Sequence, residues 1–231
     1  MKKYDNWWVQ DKEVVFEKML QNKFPVDTLN LHYELLSELN LANYDTALDI
    51  GSHIGIWSNV LASTFNHVHA FEPSASNCEC FLKNTEKFDN ITLHNVAIFE
   101  HTYELPFIGS NSLASIEMME DENHGSFRIS KYDNTSNNIV EIKEIDEYDF
   151  DNVDLIQLHT KGSEYMCLLG AEFTIKKYKP IIIYQIYENQ LKYFNVSLNK
   201  IENLFDKLNY KTMISNKFEQ WNVTYRIAIP N

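Results

Sequence analysis

The sequence predicts an α/β fold: one domain over residues 1–231, built on a mostly parallel sheet. Three observations carry that expectation. From residue 46 onward, short apolar runs of strand length alternate with amphipathic segments of helix length. The first of those runs ends in a glycine-containing turn, TALDIGSHIG. The chain closes on two strand-like runs joined by a short connection, which calls for a hairpin and one antiparallel strand.

Bulk properties fit one such domain. At 231 residues, with 44% hydrophobic and 23% charged, the chain can bury a sizeable core without a metal or a disulfide. Cys78 and Cys80 sit two apart on a predicted helix and point to different sides, and Cys167 makes the count odd. Neither a metal knuckle nor a disulfide framework follows, so a reducing, cytoplasmic setting is expected. The opening MKKYDNWWVQDKEVVF has no continuous apolar stretch after its lysines, so no signal peptide is expected. No window approaches the roughly 18 apolar residues of a membrane span, and no membrane partner is expected. A formal charge of −13 argues against a nucleic-acid partner. Lys176, Lys177 and Lys179 cluster late on a predicted helix, where they offset its dipole.

Each element follows from period and punctuation. Two helices are expected at 12–21 and 29–39, separated by Pro25, so that residues 1–42 form a helical lid. Strands are expected at 46–50, 67–72, 91–96, 153–159 and 180–187, with helices at 54–64, 76–87, 164–178 and 198–208. Strands at 211–214 and 224–229 make a seven-stranded sheet. Residues 98–145 break the alternation and read as a β-rich insertion over the sheet's carboxyl edge, with loops at 120–138 around a short strand at 127–129. His67 and His69 are expected at the sheet surface. Tyr4, Trp7 and Trp8 either pack on the domain or cover a sugar-like substrate.

The candidate binding site lies at the first strand end. Asp49 closes a buried strand, Gly51 permits a sharp turn, Ser52, His53 and Ile54 follow, and Gly55 allows close approach to the next helix. A dinucleotide site wants GxGxxG, with amides facing a pyrophosphate, and His53 breaks that pattern. DxGxxxG instead suits a cationic, phosphate-free ligand such as S-adenosylmethionine. Glu72 ends the next strand, about 20 residues beyond the turn, where an acid accepts both ribose hydroxyls. Alternatively it supports the helix entered through Pro73 and Ser74. Asn95, Val96 and Ala97 end the third strand, either against an adenine ring or in plain strand-end packing.

With EPSASNCECFLKN and NVAI, these blocks resemble the FkbM-like methyltransferases, whose pattern is similar to DxGxNxG, FEPxPxN, LxxN and NxAL. DLIQLHTKGSEYMCLLGAEFTIKKYKPIIIYQI is similar to that family's DLIKIDVEGAExxVLKGAxxxLxxxKPxIxxEI. The resemblance covers residues 46–186. It implies a class I methyltransferase-like, Rossmann-like fold with a mostly parallel seven-stranded sheet and one antiparallel strand. It also implies S-adenosylmethionine as donor, S-adenosylhomocysteine as product, and O-methylation of a small-molecule or glycan hydroxyl. The departures fall at the acceptor end. Lys-Ile-Asp-Val-Glu-Gly becomes Gln157-Leu158-His159-Thr160-Lys161-Gly162, and a later acid becomes Gln185, while Gly162 and Glu164 are kept.

A hydroxyl acceptor needs a base, because an alcohol loses its proton poorly at neutral pH. His159 sits at a central strand end and, with an unperturbed pKa of about 6.5, suits that role. Glu164 is placed to orient its ring, and Lys161 to stabilise a developing alkoxide. The bland alternative leaves His159 a satisfied strand-end histidine and Lys161 solvated. No ligand spacing supports a metal site. The rival to an enzyme is a scaffold protein that keeps the pocket but has lost transfer. A nicotinamide oxidoreductase is disfavoured by the missing GxGxxG.

Overall fold

The apolar runs become strands, and the amphipathic segments pack against them from both sides. The protein's structure is a computed structural model that describes residues 1–4, 6–11, 24–100, 113–118, 127–130, 139–186, 188–215 and 224–231. The chain begins with a hairpin of Lys2–Tyr4 (β1) and Trp7–Val9 (β2), followed by helix Phe24–Ser37 (α1). Then come Thr46–Ile50 (β3), Ile56–Ala62 (α2), His67–Phe71 (β4), Ala75–Asn84 (α3), Ile91–His94 (β5) and Ala97–Ile98 (β6). Leu113–Met118 (β7), Phe127–Ser130 (β8) and Ile139–Lys143 (β9) precede Leu155–Leu158 (β10), Glu164–Leu169 (α4) and Glu172–Tyr178 (α5). Ile181–Gln185 (β11), Glu188–Leu191 (α6), Leu198–Lys207 (α7), Tyr210–Ser215 (β12) and Tyr225–Pro230 (β13) complete the order.

The main sheet has seven strands in the order β12-β13-β11-β10-β3-β4-β5. From β11 to β5 every neighbour pairs in parallel, and β13 runs antiparallel to both β11 and β12. This is the expected sheet, with its one antiparallel strand inserted by the closing hairpin. Strand order reverses beside β3 and β10, so their carboxyl ends open the crevice where ligands of such sheets bind.

Period-two alternation splits the core in two. Ala47, Val68, Leu155, Ile183 and Ile227 face α1 and α2, which contribute Leu35, Leu36, Trp57, Val60 and Leu61. Leu48, Ile50, Phe71, Ile156, Leu158 and Tyr184 face the other way, toward Met166 and Leu168 of α4, Ile175 of α5 and Phe205 of α7.

A second sheet, β6-β9-β7-β8, occupies the expected β-rich insertion. Ile98, Val140 and Ile142 join the second core, so this part packs on a face of the main sheet. Residues 101–112, 119–126 and 131–138 of the segment expected over the carboxyl edge, 98–145, lie outside the described residues.

Two expectations change. The helix expected at 12–21 lies outside the described residues, and residues 1–42 are not helical throughout, because β1 and β2 pair as a hairpin. Trp7 is buried there with Val9, Ile54 and Cys80, so packing prevails over a lid role for this ring. Pro25 lies in the first turn of α1, where a missing N–H leaves nothing unpaired. The single helix expected at 164–178 is two, because the Asp146 carboxylate accepts the Phe173 and Thr174 amides, both at 2.8 Å, and caps a fresh start at α5.

Candidate active site

The turn after β3 is shaped by what cannot fit there. Gly51 has φ 82°, and a Cβ on it would stand 2.1 Å from the His159 carbonyl oxygen. Only glycine lets β3 and β10 close up, which they do through the His159 amide donating to the Ile50 carbonyl at 2.9 Å. The amides of Gly51 and Ser52 both donate to the Phe71 carbonyl, at 2.9 and 3.1 Å, tying the turn to β4. His53 is left-handed at φ 52°, a conformation that Asn, Asp and His tolerate better than other side chains. Gly55, at φ 93°, seats the turn against Phe81 and Thr85 beside α3. Ile54 is fully buried.

Glu72 closes the other side. Its carboxylate accepts the amides of His53 and Ser74 and the side-chain amide of Asn77, each at 2.9 Å. Burial raises its pKa, against the lowering pull of these three donors. Ser74 caps α3 by accepting the Asn77 amide. Glu72 thus does support the helix entry, and it also fixes the glycine turn. Asn95 spends its side-chain N–H groups on the carbonyls of Glu72 and Pro73, at 2.9 and 3.0 Å, bracing this bend from β5. Val96 and Ala97 are buried in the main core.

On β10 the rewritten segment curls back on itself. The Glu164 carboxylate accepts the amides of Thr160 at 3.1 Å and Gly162 at 2.9 Å. Its bonds therefore go to the loop backbone and not to the His159 ring, because a buried carboxylate at the head of α4 lies within reach of those amides. Lys161 takes φ 53° and Gly162 φ 111°, with Gly162 closed against the Gln190 carbonyl. Burial pushes the His159 pKa well below its ordinary value, and the charges of Lys161, His53 and His32 push the same way. The ring is therefore neutral at neutral pH.

Some buried groups here were not singled out from sequence. The Ser58 hydroxyl donates to Asp49, whose carboxyl is pushed up to about 7, chiefly by burial. His32 stacks on Trp57 with ring centroids 4.0 Å apart, and the Tyr225 hydroxyl takes the Trp57 indole N–H at 3.0 Å. Gln157 is 1% exposed, and neither its amide oxygen nor its amide nitrogen has a partner among the described residues. Asp49 Oδ1 and Ser52 Oγ are likewise unpartnered. The only sequence signal of the Gln157 environment is a polar residue inside an otherwise apolar strand.

The arrangement is a glycine turn without room for side chains, buried carboxyls at two adjacent strand ends, and unspent polar atoms between β3 and β10. It fits a ligand that is polar, carries positive charge and needs no phosphate cradle. Comparison with known proteins agrees. The sequence model described as the methyltransferase FkbM domain matches residues 49–212. No curated protein sequence matches the chain. Among solved structures, the methyltransferase FkbM from Methylobacillus flagellatus KT superposes with TM-score 0.53 at 16% identity. The match covers 83% of this chain, which spans 45% of that protein's length. A Streptococcus mutans protein described as a methyltransferase, solved in complex with SAH, matches with TM-score 0.52 at 12% identity over 89% of this chain and 97% of its own. An rRNA methylase from Streptococcus thermophilus matches with TM-score 0.52 at 12% identity, over 90% of this chain and 97% of its own. At such identities the neighbours share the fold, and the fold sets no acceptor class. The family match spans most of the chain, and the protein belongs to the FkbM methyltransferase domain family, on a class I methyltransferase fold.

Proposed function

We propose that this chain is a methyltransferase that O-methylates a sugar or polyol hydroxyl, with His159 as the base. S-adenosylmethionine is its donor; when bound, it supplies an electrophilic methyl group on a sulfonium. The observation that carries the reading is the turn at Gly51, closed against the His159 carbonyl, with the Asp49 and Glu72 carboxyls buried at the ends of β3 and β4. Asp49 offers charge to a cation, Glu72 offers acceptors to ribose hydroxyls, and residues 51–55 with Pro73 form the floor. Asn95, Val96 and Ala97 hold the adenine side, Asn95 by keeping the Glu72–Pro73 bend in place.

At the acceptor end, displacement at the methyl carbon needs alignment first and a proton acceptor second. His159 is half-buried at the end of β10 and held neutral, the state a base must have before it takes the hydroxyl proton. Glu164 fixes the loop that carries Thr160 and Gly162, and so sets the height of the ring. Lys161 supplies positive charge beside the developing alkoxide.

His159→Asn tests this directly. It is expected to leave donor affinity nearly unchanged and to cut turnover by about a hundredfold or more. His159→Asp, which restores a proton acceptor, should retain more activity than Asn. Because the His159 pKa is depressed, the acid limb of the rate profile should lie below pH 6.5. Unchanged turnover in His159→Asn would leave alignment alone to carry the reaction. Donor binding without turnover on any sugar or polyol would favour a scaffold protein that has lost transfer.

A further inference from the structure

β5 is the last strand on one side of the main sheet, and it shares a ladder of imidazoles with β4. His67, His69 and Phe71 alternate on one face of β4, with Thr92 in register beside His69 and His94 beside Phe71. His69 Nδ1 and His94 Nε2 meet diagonally across the two strands at 3.0 Å, and His67 Nε2 meets Thr92 Oγ1 at 2.9 Å. The His67 and His69 ring centroids are 4.6 Å apart, and His94 stacks on Phe71 at 4.7 Å. Tyr148 and Phe150, on the segment between β9 and β10, close over the ladder. Tyr148 meets His94 at 5.1 Å and Phe150 meets His69 at 5.0 Å, both at steep angles. All three imidazoles are half-buried.

The bond between His69 and His94 exists only while one of the facing nitrogens lacks a proton. An imidazolium donates from both nitrogens, so two charged rings would set donor against donor and charge against charge. The surroundings add to that repulsion. His67 on β4 and Lys143 on β9 act on the pair as further cations. Of the nearby acids, Glu141 pairs with Lys143 at 3.6 Å, and Glu141 and Glu147 act on Tyr148. Burial first, and the neighbouring cations second, push the His69 pKa down to about 4 and lower that of His94 as well.

We infer that His69 and His94 form an acid-sensitive latch, which holds the 148–150 segment on the sheet edge and releases it when both rings take up protons. The latch stands whether or not the donor is S-adenosylmethionine. Its sign follows from the shift: the folded-state value lies below the unfolded value of about 6.5. The stabilisation is therefore full above that value and is lost as pH falls toward 4.

Denaturant unfolding of the full chain at pH 7 and pH 5 tests it, for wild type, His69→Gln and His94→Gln. Glutamine keeps a hydrogen-bonding amide and does not titrate. Comparing wild type with each variant therefore cancels Asp49, His32 and His159, whose own titrations overlap this range. Between the two pH values the folding constant of wild type should fall by about tenfold more than that of either variant, solvent screening at half-buried rings holding it below the full effect. In wild type at pH 5, hydrogen-exchange protection of the 148–150 amides should drop several-fold, while the amides of β10 stay protected. Where a variant does not fold, ring titration of wild type by NMR decides, and His69 and His94 should titrate well below 6.5. Titration of both near 6.5, equal pH dependence in wild type and both variants, or unchanged protection at 148–150 would each overturn the latch.

Discussion

Asp49 decides how the donor pocket responds to pH. Burial outweighs the Ser58 hydroxyl bond and, with Glu72 nearby, pushes its carboxyl up to about 7. A cationic ligand prefers the ionised carboxylate, so below that pKa binding must first expel a proton. Affinity for S-adenosylmethionine should therefore rise between pH 6 and pH 8, by at most about tenfold per unit below the pKa. Asp49→Asn should bind more weakly and lose that slope, which titration calorimetry at the two pH values would read. The same shift has a stability sign. The folded pKa lies above the unfolded one, so this group's contribution is full below about 4 and is lost as pH rises toward 7. Asp49, Gly51, Gly55 and Glu72 were legible in the sequence because a strand end, two glycines and an acid at fixed spacing leave few other uses. The buried amide of Gln157 beside Asp49 was not, because it follows from register between β3 and β10, which no local pattern encodes.

Among the elements, Asn84 at the end of α3 joins pieces that are far apart in sequence. Its side-chain amide donates to the carbonyls of Trp8 and Ile54, both at 2.9 Å, and its oxygen accepts the Trp8 amide at 2.7 Å. One residue thus clips the hairpin of β1 and β2 to the glycine turn. Asn84→Ala should cost about 1–3 kcal/mol in denaturant unfolding, because it strands part-buried backbone groups. It should also weaken donor binding, since the Ile54 carbonyl lies within the turn. Central strands were read almost to the residue from their apolar runs: β3 at Thr46–Ile50 is the expected 46–50. The N-terminal hairpin was missed because three-residue strands are too short to display a period. The break between α4 and α5 was missed for a different reason: its cap, Asp146, arrives from outside the helical segment.

Taken whole, the molecule places its chemistry by topology. Parallel strands joined by crossovers gather β3, β4 and β10 so that their carboxyl ends meet where strand order reverses. The alternation of elements was enough to predict that meeting point, and the closing hairpin was enough to predict the antiparallel strand. Among the described residues no helix is long and apolar enough to cross a membrane. The central claim is that this crevice holds a sulfonium donor and not a dinucleotide. Calorimetric titration of the full chain, with S-adenosylmethionine, S-adenosylhomocysteine and NAD in separate runs, tests it most directly. The account predicts micromolar binding of the two sulfur ligands and none of NAD. Binding of NAD with neither sulfur ligand would contradict it.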